Sequence, residues 1–107
     1  MIKVFSDRYT KNFHFNVYDT NWNLMDLGWG GKTLVPRPDL IDKKPKHADK
    51  MIEYASKLSK DFKFVRVDFY SVNDKIYLGE LTFSPDGGLF KYGDKKTDMY
   101  IGSLLKL

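Results

Sequence analysis

The sequence contains no cysteine, which excludes disulfide bonds and thiolate metal sites. It also lacks an apolar run of membrane-spanning length, and its first residues do not follow the pattern of a secretory signal peptide. Histidine is scarce, and the two histidines, His14 and His47, do not have the spacing of metal ligands. We therefore expect no membrane span, and a cytoplasmic location as the default.

Length and composition set the next limits. A chain of 107 residues has room for one domain with a modest core, so we expect residues 1–107 to form a single domain. The hydrophobic fraction of 42% and the charged fraction of 30% are typical of a globular protein. The net charge of +4 suits anionic ligands such as nucleotides or acidic sugars, and it does not require nucleic acid as a partner.

Two runs, residues 64–70 and 76–83, alternate apolar and polar side chains with period two. Such alternation predicts two strands, which we expect to pair as an antiparallel hairpin. The apolar sides hold Val65, Val67 and Phe69 on the first strand and Tyr77, Leu81 and Phe83 on the second. The opposite sides hold the polar set: Arg66, Asp68, Tyr70, Glu80 and Thr82.

The turn length decides which residues of the hairpin face each other. Pairing Val72 with Ile76 across a three-residue turn places Asp68 opposite Glu80 and, further along, an arginine opposite a threonine. If the three-residue turn begins one residue earlier in the chain, the two acids become diagonal neighbours instead of lying directly opposite each other.

A two-residue turn at Asn73 and Asp74 separates the two acids, unless a β-bulge restores the alternation. We favour the three-residue turn, with Asn73 or Asp74 in the left-handed conformation.

Two carboxylates side by side on a sheet destabilise it, so Asp68 and Glu80 need a reason to be neighbours. A shared divalent cation is the simplest reason. The alternative is a solvated salt-bridge cluster with Arg66, which contributes roughly 0–1 kcal/mol.

Residues 66–70, together with residues 79–85, resemble the C-terminal metal-binding hairpin of ATP-grasp ligases. The branch to which they are most similar is TupA-like ATP-grasp, associated with teichuronopeptide and other polysaccharide biosynthesis. Further similar segments are residues 18–23, the helix that follows residue 46, and residues 102–107. The resemblance covers most of the chain and is least constrained over residues 28–46.

The resemblance implies a role for five residues. Asp68 and Glu80 match the acids that hold Mg²⁺ against the phosphates of ATP, and two acids are enough for this ion. Thr82 stands where the wider superfamily usually has asparagine, the third metal ligand. Arg66 matches an arginine that helps bind the phosphorylated intermediate, and Arg8 matches a position near the nucleotide.

The implied activity is that of an ATP-dependent carboxylate–amine ligase, or a similar enzyme, that decorates a cell-surface polysaccharide. Its partners would be the nucleotide and an acidic sugar or amino acid substrate. In relatives the lysine-bearing nucleotide lobe precedes this hairpin, so we expect the C-terminal portion of an ATP-grasp domain, incomplete as a catalyst. An exposed sheet edge would then allow self-association. The alternative is a non-catalytic binding or structural module, or a protein of the kind labelled glycosyltransferase.

The remaining pattern predicts an α+β fold: a mostly antiparallel sheet with one main helix on one face, resembling the C-terminal lobe of an ATP-grasp domain. A strand at residues 1–5 should pair with a strand at residues 13–18. The helix should run from about His47 to Ser59, with an apolar stripe that covers the apolar side of the hairpin. Residues 28–46 and the tail after Gly88 should be mostly irregular, with a short last element at residues 100–107.

Overall fold

The computed structural model describes residues 1–29 and 34–105. Its regular elements in chain order are strands β1 (Ile2–Ser6) and β2 (His14–Tyr18), helix α1 (Ala48–Ser59), strands β3 (Arg66–Val72) and β4 (Lys75–Thr82), and helix α2 (Lys95–Ser103). The two sheets are both two-stranded and antiparallel, which confirms the predicted α+β class.

The chain divides into two compact units. The first unit contains residues 1–43 and 91–102, so it is built from two separate stretches of sequence. The second unit contains residues 44–90 and the segment from Ser103 onward. That the whole chain forms one domain stays a prediction.

In the first unit, β1 pairs with β2 as predicted, with Phe5 opposite Phe15. The chain turns between them with Asp7 and Tyr9 in the left-handed conformation, at φ of 56° and 74°. The Thr10 hydroxyl donates to the backbone oxygen of Asp7 at 2.8 Å, which closes the turn.

All five residues of β2 are buried, on both faces of the strand. On one face the ring of Phe15 lies against Phe5 and Trp29, with centroids 5.9 and 5.2 Å apart. The other face packs against the segment 34–43, where Asn16 donates to the backbone oxygens of Arg37 and Leu40 at 3.0 and 2.8 Å. This segment contains no helix or strand in its described part, as predicted, yet it covers the polar face of β2.

Helix α2 begins at Lys95, earlier than the short element predicted at residues 100–107, whose last two positions lie outside the described residues. Asp94 explains this start, because its carboxylate accepts from the backbone N–H and the hydroxyl of Thr97, at 2.7 and 3.1 Å. The same hydroxyl accepts from the backbone N–H of Gly28 at 2.7 Å, which attaches the helix to the first unit.

In the second unit, α1 packs against β3, as predicted, and begins at Ala48 rather than His47. Beyond the end of the helix the rings of Phe62 and Phe83 meet edge to face, with centroids 5.0 Å apart. Between α1 and the hairpin an open groove of about 370 Å³ remains, lined by Tyr54, Lys57, Leu58, Phe69, Ile76 and Leu78. The helix therefore covers the apolar side of the hairpin only in part.

In the part of the chain that the structure describes, no helix combines the length and the apolar character needed to cross a membrane.

Candidate functional site

The turn of the β3–β4 hairpin has two residues, since Val72 pairs directly with Lys75. Asn73 and Asp74 both have positive φ, at 50° and 61°. The predicted three-residue turn is therefore wrong. Positive φ at both central residues is the mark of a type I′ turn, and Asn and Asp are the side-chain-bearing residues that tolerate this conformation best.

A β-bulge compensates for the short turn. Val67 pairs with Leu81 and Phe69 pairs with Leu78, so Asp68 faces an extra residue on β4. The extra residue shifts the alternation of β4 by one position. Glu80 consequently lies on the same face as Asp68. The two acids are therefore neighbours, but they are brought together by a two-residue turn with a β-bulge and not by the three-residue turn that we favoured.

The bulge also corrects the predicted faces of β4. Tyr77 was expected to share the apolar side with Leu81, but it pairs with Tyr70 and so lies on the polar face. Leu78, the partner of Phe69, takes its place on the apolar side. The predicted assignment failed because it assumed an unbroken period of two through residue 79.

Arg66 lies between the two acids. Its Nε donates to Asp68 Oδ1 at 2.9 Å, and its Nη2 donates to Asp68 Oδ2 at 3.0 Å and to Glu80 Oε1 at 2.8 Å. The Thr82 hydroxyl donates to the same Glu80 oxygen at 3.0 Å, and Thr82 pairs with Arg66 across the strands as predicted. The hairpin therefore brings together four of the five predicted site residues.

The electrostatics of this cluster are those of an accessible ion-pair network. The hydrogen bonds to Asp68, followed by its Coulomb attraction and those of Glu80, raise the pKa of Arg66 above its ordinary value, against the opposing effect of burial. The side chains of Asp68 and Glu80 are 33% and 62% exposed. A ligand from solvent can thus reach both carboxylates without a change of fold.

The donor set fits a hard divalent cation. Asp68, Glu80 and Thr82 offer oxygen atoms, and the bonds that Arg66 and Thr82 donate to Glu80 use Oε1, which leaves Oε2 for a ligand as far as the described residues go. Residues 1–29 and 34–105 hold no group of three or more His, Cys, Asp or Glu side chains that could hold a metal ion. An ion at this site would therefore take its remaining ligands from water and phosphate, which is the usual pattern for Mg²⁺.

Arg8, the fifth predicted residue, is not part of this cluster. It lies in the β1–β2 turn of the first unit, exposed, with its guanidinium carbon 5.9 Å from the centroid of the Phe13 ring. Its contact with an aromatic ring is compatible with a structural role in the turn.

Asp42 is a buried carboxylate, 8% exposed, that the sequence pattern did not predict. Its side chain accepts from the hydroxyl of Ser6, from Asn16 Nδ2 at 3.1 Å and from the Tyr18 hydroxyl at 2.9 Å. Its backbone oxygen accepts from Trp22 Nε1 at 3.1 Å. We call these residues the Asp42 cluster.

Two further features describe the Asp42 cluster. Burial is the main cause that raises the pKa of Tyr18 above its ordinary value. His14 Nε2 lies 3.4 Å from Asp42 Oδ1 and is buried without a hydrogen-bond partner in the described part of the chain. The only signal in the sequence was the alternation of His14, Asn16 and Tyr18, which indicates a polar face but not what covers it.

Residues 1–106 match the model of the TupA-like ATPgrasp family. The chain therefore belongs to this family, and the resemblance read from the hairpin residues is confirmed. Comparisons with curated proteins and with solved structures gave no match.

Proposed function

We propose that the β3–β4 hairpin binds Mg²⁺ together with the phosphates of ATP, and that the protein acts in an ATP-dependent ligation in cell-surface polysaccharide biosynthesis. The observation that supports this most is the gathering of Arg66, Asp68, Glu80 and Thr82 on one exposed face. Membership of the TupA-like ATPgrasp family supports the choice of ATP and Mg²⁺ as ligands.

Each residue has a role in this proposal. Asp68 and Glu80 are the metal ligands and Thr82 supplies a third, neutral oxygen. Mg²⁺, when bound, offsets negative charge on the phosphate oxygens. Arg66 exchanges a carboxylate partner for a phosphate oxygen and stabilises charge on the phosphorylated substrate, a role that its permanent positive charge supports. Arg8 is proposed to contact the nucleotide.

The same family membership supports a proposal for the second substrate and for the location of the protein. The proposed second substrate is an acidic sugar or an amino acid, and the proposed location is the cytoplasm, where ATP is made. Self-association is proposed through the β3–β4 sheet, in which each strand has one edge without a strand partner among the described residues.

A second candidate function is a non-catalytic binding module. The observation that favours it is that Arg66 already bonds both acids, so the cluster is satisfied as an ion-pair network without any metal. The two candidates differ in whether Mg²⁺ and ATP bind, and in whether ATP is then consumed.

Titration calorimetry with Mg²⁺, alone and with ATP, tests the metal role. We expect weak Mg²⁺ binding that is lost in Asp68→Asn and in Glu80→Gln. Two matched variants of the second unit serve as controls: Asp74→Asn, whose carboxylate pairs with Lys46, and Glu53→Gln, whose carboxylate pairs with Lys57. Equal Mg²⁺ binding by the site variants and the controls would contradict the metal role.

An assay of ADP release, with acidic sugars and amino acids as acceptors, separates the two candidates. If the protein is a ligase, ADP release should depend on an acceptor. It should be reduced in Arg66→Lys, which keeps the positive charge but cannot form bidentate hydrogen bonds. Binding of ATP and Mg²⁺ without ADP release for every acceptor would favour the binding module.

A further inference from the structure

We propose that Tyr70 and Gly79 are positioning residues of the site: the Tyr70 ring, seated on Gly79, fixes the β-bulge that turns Glu80 toward Asp68. The link from this placement of Glu80 to metal binding rests on the proposed function. The placement itself rests on the geometry of the hairpin alone.

The register explains why the bulge is needed. With Val72 paired to Lys75, an unbroken ladder would place Gly79 opposite Asp68 and Glu80 opposite Val67. Glu80 would then lie on the apolar face, under α1. Because β4 has one extra residue at this point, Glu80 instead reaches the polar face and bonds Arg66 at 2.8 Å.

The space at residue 79 is too small for a side chain unless a neighbouring group moves. A Cβ added there would lie 2.7 Å from Tyr70 Cε2 and 3.1 Å from the backbone oxygen of Asp68. The first distance is a clash with the ring, and the second presses on the backbone of the residue that must face Glu80. An alanine therefore has to displace the Tyr70 ring, the bulge, or both.

Tyr70 lies on the polar face, two residues from Asp68 and opposite Tyr77. Tyr70 is 54% exposed and Gly79 is exposed as well, so neither belongs to a hydrophobic core. The contact between them is local to the bulge. Bulges are over-represented next to active sites, where they redirect a side chain, and Glu80 is the side chain redirected here.

The test compares four substitutions and one deletion by Mg²⁺ titration. Gly79→Ala is expected to weaken Mg²⁺ binding by about 10- to 100-fold, the usual cost of disturbing groups that orient metal ligands. Tyr70→Ala is expected to weaken it in the same direction, and Tyr70→Phe, which keeps the ring, to bind like the wild type. Gly102→Ala is the matched control, since a Cβ at Gly102 meets no atom of the described residues within 4 Å outside the backbone of its own helix.

The deletion of Gly79 is the decisive variant. It removes the extra residue, so an unbroken ladder with the same turn places Glu80 directly opposite Asp68. We expect this deletion to retain Mg²⁺ binding while Gly79→Ala loses it. A role of Gly79 in general stability predicts the reverse order, because a deletion inside a strand is the larger perturbation.

A second measurement keeps the proposal testable if the wild type does not bind Mg²⁺, a result that would refute the proposed function alone. Nuclear Overhauser contacts across the hairpin report the register directly: the wild type should pair Val67 with Leu81, and Gly79→Ala should lose this pairing or the Arg66 Nε–H bond to Asp68. An unchanged register and unchanged Arg66 resonances in both Gly79→Ala and Tyr70→Ala would overturn the positioning role.

Discussion

The two hairpins of this chain share the same alternating sequence pattern but use their acidic residues in opposite ways. In the first, all of β2 is buried and its polar side chains converge on Asp42, which is 8% exposed. In the second, the acids lie on an open face, and the Glu80 side chain is 62% exposed. A carboxylate surrounded by buried neutral donors holds a fold together, whereas exposed carboxylates around one arginine can exchange that partner for a ligand.

The largest expected effect is that of Asp42→Ala in the first unit. The substitution leaves the buried donors of Asn16 and Tyr18 without their acceptor, so we expect the free energy of unfolding to fall by about 3 kcal/mol or more. Urea denaturation followed by tryptophan fluorescence measures it, because both tryptophans belong to the first unit.

Asp39→Ala is the matched control for that experiment, since this aspartate lies in the same segment but pairs with Arg37 on the surface. It should change the unfolding midpoint little. If the two variants lose the same stability, the contrast between a structural and an accessible acid does not hold.

The next effect tests how closely the first unit is packed. A Cβ at Gly28 would lie 1.3 Å from Asp94 Oδ2, an oxygen held by Thr97, so Gly28→Ala should destabilise the protein by about 1–3 kcal/mol. Gly102→Ala, in open surroundings within α2, should be neutral or slightly stabilising. Thermal unfolding followed by circular dichroism compares them, and equal midpoints would show that the contact can relax.

A smaller effect should appear in acid. The backbone N–H of Thr97 is the main cause that lowers the pKa of Asp94, so this cap stabilises α2 above the ordinary carboxyl pKa near 4 and loses that effect as the pH falls through the lowered value. We expect protection of the Thr97 amide from hydrogen exchange to decrease as the pH falls below the ordinary carboxyl pKa and through the lowered pKa of Asp94.

Two variants identify the group responsible. Asp94→Asn, which still caps a helix but cannot titrate, should remove the acid dependence. Asp98→Asn in the same helix should keep it. Persistence of the acid dependence in Asp94→Asn would assign it to another group.

The smallest effect is expected at the accessible site. Arg66→Ala should change the stability of the second unit by less than about 1 kcal/mol, because the Arg66 side chain is 47% exposed and surface ion pairs contribute little. Urea denaturation followed by the amide resonances of α1, a helix of the second unit, measures this. A loss as large as that of Asp42→Ala would mean that the cluster is structural and not open to a ligand.

The grouping of the candidate site residues on one face was predictable because it depends on alternation within two short strands. Arg66, Asp68, Glu80 and Thr82 share a face whether a three-residue turn or a bulge sets the register, so the wrong turn length did not affect their grouping. The bulge itself depends on the fit of a ring against Gly79, which periodicity does not encode.

The Asp42 cluster was not predictable in the same way. Its donors come from β1 and β2, while the acid comes from an irregular segment more than 20 residues later, so no local pattern connects them. Helix α2 was placed too late because its sequence is mostly polar, although Asp94 followed by Thr97 is a recognisable capping signal.

The first unit is made from both ends of the described chain, with residues 91–102 completing what residues 1–43 begin. During synthesis, the amide of Gly28 must therefore wait for Thr97, which leaves the ribosome some 69 residues later. The main stretch of the second unit, residues 44–90 with α1, β3 and β4, is complete in sequence before that point and can begin to form while the chain is still growing. We therefore expect α1 and the β3–β4 hairpin to form before the first unit closes, although β1 and β2 are translated earlier.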